Sequence, residues 1–77
     1  MIVAYILIQT EAGVVGPVAA EVAGVKGVTS AQAVTGPYDV IARAEARNLD
    51  ELGKLVVRRV QDVPGITRTL TCPVVHL

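Results

Sequence analysis

The segment Val25-Lys26-Gly27-Val28-Thr29 returns as Val63-Pro64-Gly65-Ile66-Thr67, 38 positions further on (63 minus 25) in a chain of 77 residues. A repeat at half the chain length divides the sequence into two similar units. Neither unit is long enough to bury a core alone, so the two must share one. Each copy follows a stretch with helical spacing and precedes a run of β-formers. The chain therefore reads as two βαβ halves, the split βαβ or ferredoxin-like arrangement. The expectation is one α+β domain over residues 1–77, a βαββαβ sandwich with a four-stranded antiparallel sheet and two helices on one face.

The first half reads as a strand over Ile2 to Gln9, a helix over Val14 to Ala23 and a strand over Val28 to Thr35. Val15, Val18, Ala19 and Val22 recur at i, i+3, i+4 and i+7, which marks one buried helical face. Pro17 falls in the first turn and Gly24 just past the end. The second half opens with a strand over Asp39 to Glu45. A helix from Leu49 to Val60 follows, with Asn48 as N-cap, Glu51 three residues on, and a buried stripe of Leu49, Leu52, Val56 and Val60. Asp50, Lys54 and Arg58 stand four apart on its solvated face, and Arg58 and Arg59 complement the helix dipole. The last strand, Ile66 to Val75, alternates Ile66, Arg68, Leu70, Cys72 and Val74 with Thr67, Thr69 and Thr71.

Helices on one side of such a sheet leave the other side bare, where polar residues would suffice. The first strand is instead apolar at every position from Ile2 to Ile8, so both of its faces call for burial. Hydrophobic residues make up 52% of the chain with only two tyrosines as aromatics, an aliphatic excess that points to burial against another subunit. Sheet-on-sheet dimerisation with two-fold symmetry is the expected remedy. Seven basic and seven acidic residues leave no formal charge and hence no electrostatic footprint for direct nucleic-acid or membrane contact. The lone Cys72 excludes an intramolecular disulfide and suits a reducing, cytoplasmic setting. The seven-residue opening run is too short for a signal peptide or a membrane span.

Catalytic machinery is not apparent. The single histidine, His76, is penultimate, and there is no Cys/His cluster for a metal, no Gly-rich phosphate loop and no nucleophile-base pair. Cys72, beside Leu70 and Val74, reads as a buried, inert thiol. We therefore expect no enzyme, no metal and no cofactor. Thr35-Gly36-Pro37-Tyr38-Asp39 joins the second and third strands. Gly36 and Pro37 suffice for a tight turn, while Tyr38 and Asp39 add an aromatic wall and a carboxylate able to receive a ligand ammonium. Turn and binding loop are equally consistent with these residues. The threonine row is a strand-former's pattern that also offers a ligand donors and acceptors in line.

Val25-Lys26-Gly27-Val28, Thr35-Gly36-Pro37-Tyr38-Asp39-Val40 and Val63-Pro64-Gly65-Ile66-Thr67-Arg68-Thr69-Leu70-Thr71 together resemble the effector-binding domain of the Lrp/AsnC family, also called the regulation-of-amino-acid-metabolism (RAM) domain. The likeness covers nearly the whole chain. It implies a dimer formed through the sheet, further assembly into tetramers or pentamers of dimers, and amino-acid binding between dimers. By that likeness Gly36, Tyr38 and Asp39 form the main ligand loop, with Thr69 and Thr71 contributing from the final strand. Family members usually carry an N-terminal helix-turn-helix domain. Here the strand pattern begins at Ile2, so the expectation is a stand-alone effector domain that senses amino acids or co-assembles with full-length regulators, modulating transcription without touching DNA. A dimeric α/β-barrel enzyme is the competing class. An ACT-type allosteric domain is a further relative in shape, which the Gly-x-Tyr-Asp turn disfavours.

Overall fold

A computed structural model describes residues 1–77. It contains β1 (Ile2–Thr10), α1 (Val15–Ala23), β2 (Val28–Ala33), β3 (Val40–Ala46), α2 (Leu49–Leu55) and β4 (Ile66–Pro73), with a π-helical stretch, Val56–Val60, continuing α2. The strands form a single antiparallel sheet in the order β2-β3-β1-β4. This is the ferredoxin-like βαββαβ topology expected from the repeat. β2 ends two residues before its expected limit, where Val34 N–H donates to Asp39 O at 2.9 Å and closes the turn into β3.

The repeat has a structural cause. Val25 N–H donates to Val22 O (3.0 Å) and Val28 N–H to Val25 O (3.0 Å). In the second half Val63 N–H donates to Val60 O (3.1 Å) and Ile66 N–H to Val63 O (3.4 Å). Gly27 and Gly65 hold φ values of 99° and 94°, a region that side chains disfavour. Each glycine carbonyl is then received by the opposite half: Gly27 O accepts from Glu45 N–H, and Gly65 O from Glu11 N–H, both at 2.8 Å.

Register assigns the two faces of the sheet. Ile2, Ala4, Ile6 and Ile8 of β1 stand opposite Ala46, Ala44, Ala42 and Val40 of β3 on the helix side, where all but Ile2 are buried. Val18 and Val22 of α1 and Leu52, Leu55, Val56 and Val60 of the second helical segment close over them, so both helices cover one face. The alanines of β3 let the helices approach closely, and a core without aromatics results. On the open face, Ile41, Leu7 and Leu70 form one row across β3, β1 and β4, with Arg43, Tyr5 and Cys72 in the next. Arg43 pairs there with Glu45 at 2.6 Å, and this contact raises the already high pKa of the guanidinium. The open face is therefore apolar at its centre and charged toward β2, less uniformly greasy than β1 alone suggests.

Three expectations need correction. Cys72 is exposed, because it lies on the open face beside Tyr5 and no helix reaches that side. Leu49 is 63% exposed at the first position of α2, and Leu55 takes its place in the buried stripe. The threonine row is broken, because a β-bulge pairs Thr10 with Ile66 and Gln9 with Arg68. Thr67 becomes the extra residue, and Ile66 moves to the helix side. Asn48 caps α2 as expected, its Oδ1 accepting from Glu51 N–H at 2.8 Å. The Glu51 carboxylate reaches back one residue further, to the N–H and guanidinium of Arg47, and is held below the usual glutamate range by them.

A Cβ on Gly65 would stand 2.9 Å from Val14 Cγ2 and 3.1 Å from Val18 Cγ2, whereas one on Gly53 in α2 would meet nothing within 4 Å. Gly65→Ala should lower unfolding free energy by about 2 kcal/mol or more through strain and clash together. Gly53→Ala should raise it by about 0.5–1 kcal/mol through helix propensity. Urea unfolding of both variants checks the opposite signs.

Candidate functional site

The turn between β2 and β3 is fastened to the end of the central strand. Asp39 N–H donates to Ile8 O at 2.8 Å, and Asp39 Oδ2 accepts from Thr10 N–H at 2.8 Å and from Thr10 Oγ1 at 3.4 Å. Gln9 Nε2 donates to Pro37 O at 2.9 Å. Four contacts thus hold a short loop that the sequence reads equally as a turn or as a binding loop. Asp39 Oδ1 has no donor within the chain, and the N–H groups of Gly36 and Tyr38 donate to nothing in it. Gly36, at φ 135°, has open space where a Cβ would stand, and Tyr38 is half-buried. The arrangement leaves one carboxylate oxygen and two amide donors on a fixed backbone.

Thr69 and Thr71 sit apart from this group. They lie on the helix side of the edge strand β4, opposite Ile8 and Ile6. Gln61, at the end of the π-helical stretch, donates from Nε2 to Thr69 Oγ1 at 2.9 Å. Val40, Ile8 and Thr69 share one row of the sheet, so Thr69 is level with the turn but separated from it by β1. Two strand spacings make that separation about 10 Å. The five expected residues therefore form two groups in one chain, Gly36, Tyr38 and Asp39 in one and Thr69 and Thr71 in the other.

Gln9, Thr10 and Gln61 were not singled out from sequence. Gln9 and Thr10 carried a signal, since they are the first polar residues after an unbroken apolar run. Gln61 carried none, because its role depends on where the helix ends over the sheet. No three His, Cys, Asp or Glu side chains come close enough to share a metal ion, and no helix is long and apolar enough to cross a membrane. A cleft of about 510 Å³ opens elsewhere, between the Lys26 turn and the second helical segment, and none of the five expected residues lines it.

The family model of the Lrp/AsnC ligand binding domain matches residues 3–76. Uncharacterised HTH-type transcriptional regulators of Pyrococcus furiosus and Pyrococcus horikoshii are 32% and 30% identical over 54 residues, 70% of this chain and 36% of each regulator. The chain thus spans about a third of the length of these relatives. A protein of Thermus thermophilus is similar in structure over 100% of this chain and 96% of its own, with TM-score 0.93 and 28% identity. Escherichia coli AsnC shares the fold over 99% of this chain and 52% of its own, at TM-score 0.90 and 23% identity. So does a Neisseria meningitidis transcriptional regulator solved as an L-Met complex, over 97% and 50%, at TM-score 0.83 and 19% identity.

The Thr10 contact gives Asp39 a structural duty that is separable from its charge. Asp39→Ala leaves Thr10 N–H without its acceptor and should cost about 1–2 kcal/mol. Asp39→Asn keeps an amide oxygen for that N–H and should cost less than half as much. Urea unfolding of the two variants side by side measures the difference.

Proposed function

The chain belongs to the Lrp/AsnC ligand-binding domain family, and from that premise we propose that it is an oligomeric amino-acid-binding module that modulates transcription without itself contacting DNA. The observation that carries this reading is the fastened turn, with Asp39 Oδ1 and the Gly36 and Tyr38 N–H groups all unengaged. An α-amino acid presents an ammonium and a carboxylate a few ångströms apart. Asp39 Oδ1 would receive the ammonium, the turn amides would donate to the carboxylate, and Tyr38 would wall the side chain. The L-Met complex of the Neisseria regulator supports an amino acid as the class of ligand. No catalytic step is assigned, in keeping with the regulators among its relatives.

The open sheet face supports dimerisation. Leu7, Ile41 and Leu70 form an apolar centre with Arg43, Glu45, Gln9 and Arg68 toward its margins, the composition of an interface core and rim. A second dimer set against the edge of the first would bring its Thr69 and Thr71 toward the turn and complete the site across copies. The same sheet face would admit a full-length regulator, so co-assembly is the second reading. It is favoured by the match to HTH-type regulators over their shared segment.

Isothermal calorimetry with each of the twenty amino acids should find at least one that binds at about millimolar concentration or below. Asp39→Asn, which keeps the fold, should weaken it by about tenfold through loss of the charge-assisted bond. Heat from none of the twenty would sink the reading. Native mass spectrometry should show dimers and larger even-numbered species that Leu70→Glu reduces to monomer, and hybrid species when a full-length regulator is mixed in. An unchanged assembly in Leu70→Glu would remove the sheet face from the interface.

A further inference from the structure

We propose that the cleft beside the second helical segment is an anion site that takes a small phosphorylated molecule, separate from the amino-acid site and resting on different residues. The cleft, of about 510 Å³, is lined by Lys26, Arg47, Lys54, Arg58 and Arg59, with Glu45 and Glu51. Its volume is that of a small-molecule pocket. A chain with seven basic and seven acidic residues has no charge excess overall, yet five of those seven cations line this one depression. The charge is concentrated here by the fold.

Both lining carboxylates are already held. Glu45 pairs with Arg43 at 2.6 Å on the open-face side, and Glu51 pairs with Arg47 at 2.8 Å. Lys54 has Asp50 at 3.2 Å. Lys26, Arg58 and Arg59 form no ion pair; Lys26 lies close enough to Glu51 to help keep its carboxylate charged, and the cleft still holds five cations against two carboxylates. Lys54 and Arg58 also stand four residues apart on one helical face, where like charges repel. Arg58 and Arg59 belong to the π-helical stretch, a local departure from α-helix that often accompanies function. The dipole of a helix end explains one cation; it does not explain a ring drawn from the Lys26 turn, the end of β3 and the second helical segment.

Arginines and lysines together suit phosphate, because guanidinium forks bind its oxygens in pairs and ammonium groups add point charge. The site favours a compact anion over a nucleic-acid strand. An adjoining recess shares Arg58 and Arg59 but is also lined by Glu21 and Asp62, which would repel a phosphate backbone continuing in that direction.

The test is calorimetric titration of the whole chain with inorganic phosphate, pyrophosphate and adenosine triphosphate, each at constant ionic strength, with sodium sulfate as an ion control. At least one phosphate compound should bind more tightly than sulfate. The double variant Arg58→Ala/Arg59→Ala should weaken it by about tenfold or more, and Glu11→Gln, exposed and away from the cleft, should leave it within about twofold. Lys26→Ala, on a different element, should weaken it as well, which keeps the test decisive if the double variant melts early. Saturation by inorganic phosphate as tight as by the triphosphate identifies the free ion as sufficient; a clear preference for the triphosphate identifies a phosphorylated metabolite. Binding no tighter than sulfate, equal affinity in the cleft variants, or retention of only a DNA or RNA oligonucleotide overturns the proposal. Because the amino-acid titrations use other residues, either site can fail without the other.

Discussion

Two peptide carbonyls reinforce the strand pairings that join the halves of this molecule. Gly27 O and Gly65 O each leave their own half and accept an N–H from the other, at Glu45 and Glu11. That crossing is possible only because both glycines adopt a left-handed backbone, which turns the carbonyl away from the helix just completed and toward the sheet. At Gly65 the side chains of Val14 and Val18 then close to within 3.1 Å of where a Cβ would be, and at Gly27 Leu55 closes to 3.2 Å. The turns thus fix the angle at which each helix returns over the sheet, and the core is what that angle leaves room for.

With the helices so placed, the central strand does two jobs. Its Ala4, Ile6 and Ile8 form the floor of the core, while Val3, Tyr5 and Leu7 face away from both helices. Burial on the helix side is deepest along the two central strands, with Ile6, Ile8 and Val40 at 0% exposure. The outward face is where a small aliphatic chain has apolar surface left over. Tyr5 and Leu70 are each 43% exposed there, and the Arg43–Glu45 pair marks where that apolar region stops.

The end of the central strand is also what makes the β2–β3 turn more than a connection. Gln9 and Thr10 carry the strand past the apolar core and bind Pro37 O and Asp39 Oδ2. Asp39 is consequently both a staple and a source of charge, since one carboxylate oxygen is engaged by Thr10 and the other is not. A loop fixed in this way holds its donors and acceptor in a set geometry, with no ordering left to do.

The order of elements, the repeat that marks the two glycine-bearing segments, the buried face of α1 and the Asn48 cap were all legible in the sequence. Each depends on interactions within about ten residues or on a simple period. Leu49, Cys72 and Thr67 were misjudged for the complementary reason. Whether Leu49 is covered depends on where α2 meets the sheet, whether Cys72 is covered depends on which face the helices choose, and Thr67 is displaced by a bulge opposite Thr10. The candidate site divides the same way. Gly36, Tyr38 and Asp39 stand together because they are neighbours in the chain, whereas the Thr10 and Gln61 contacts, and the gathering of five cations from three elements into one cleft, were decided by tertiary structure. Sequence periodicity sets which residues share a face, but only packing sets which faces meet, because register and helix angle are fixed by contacts between residues far apart in the chain.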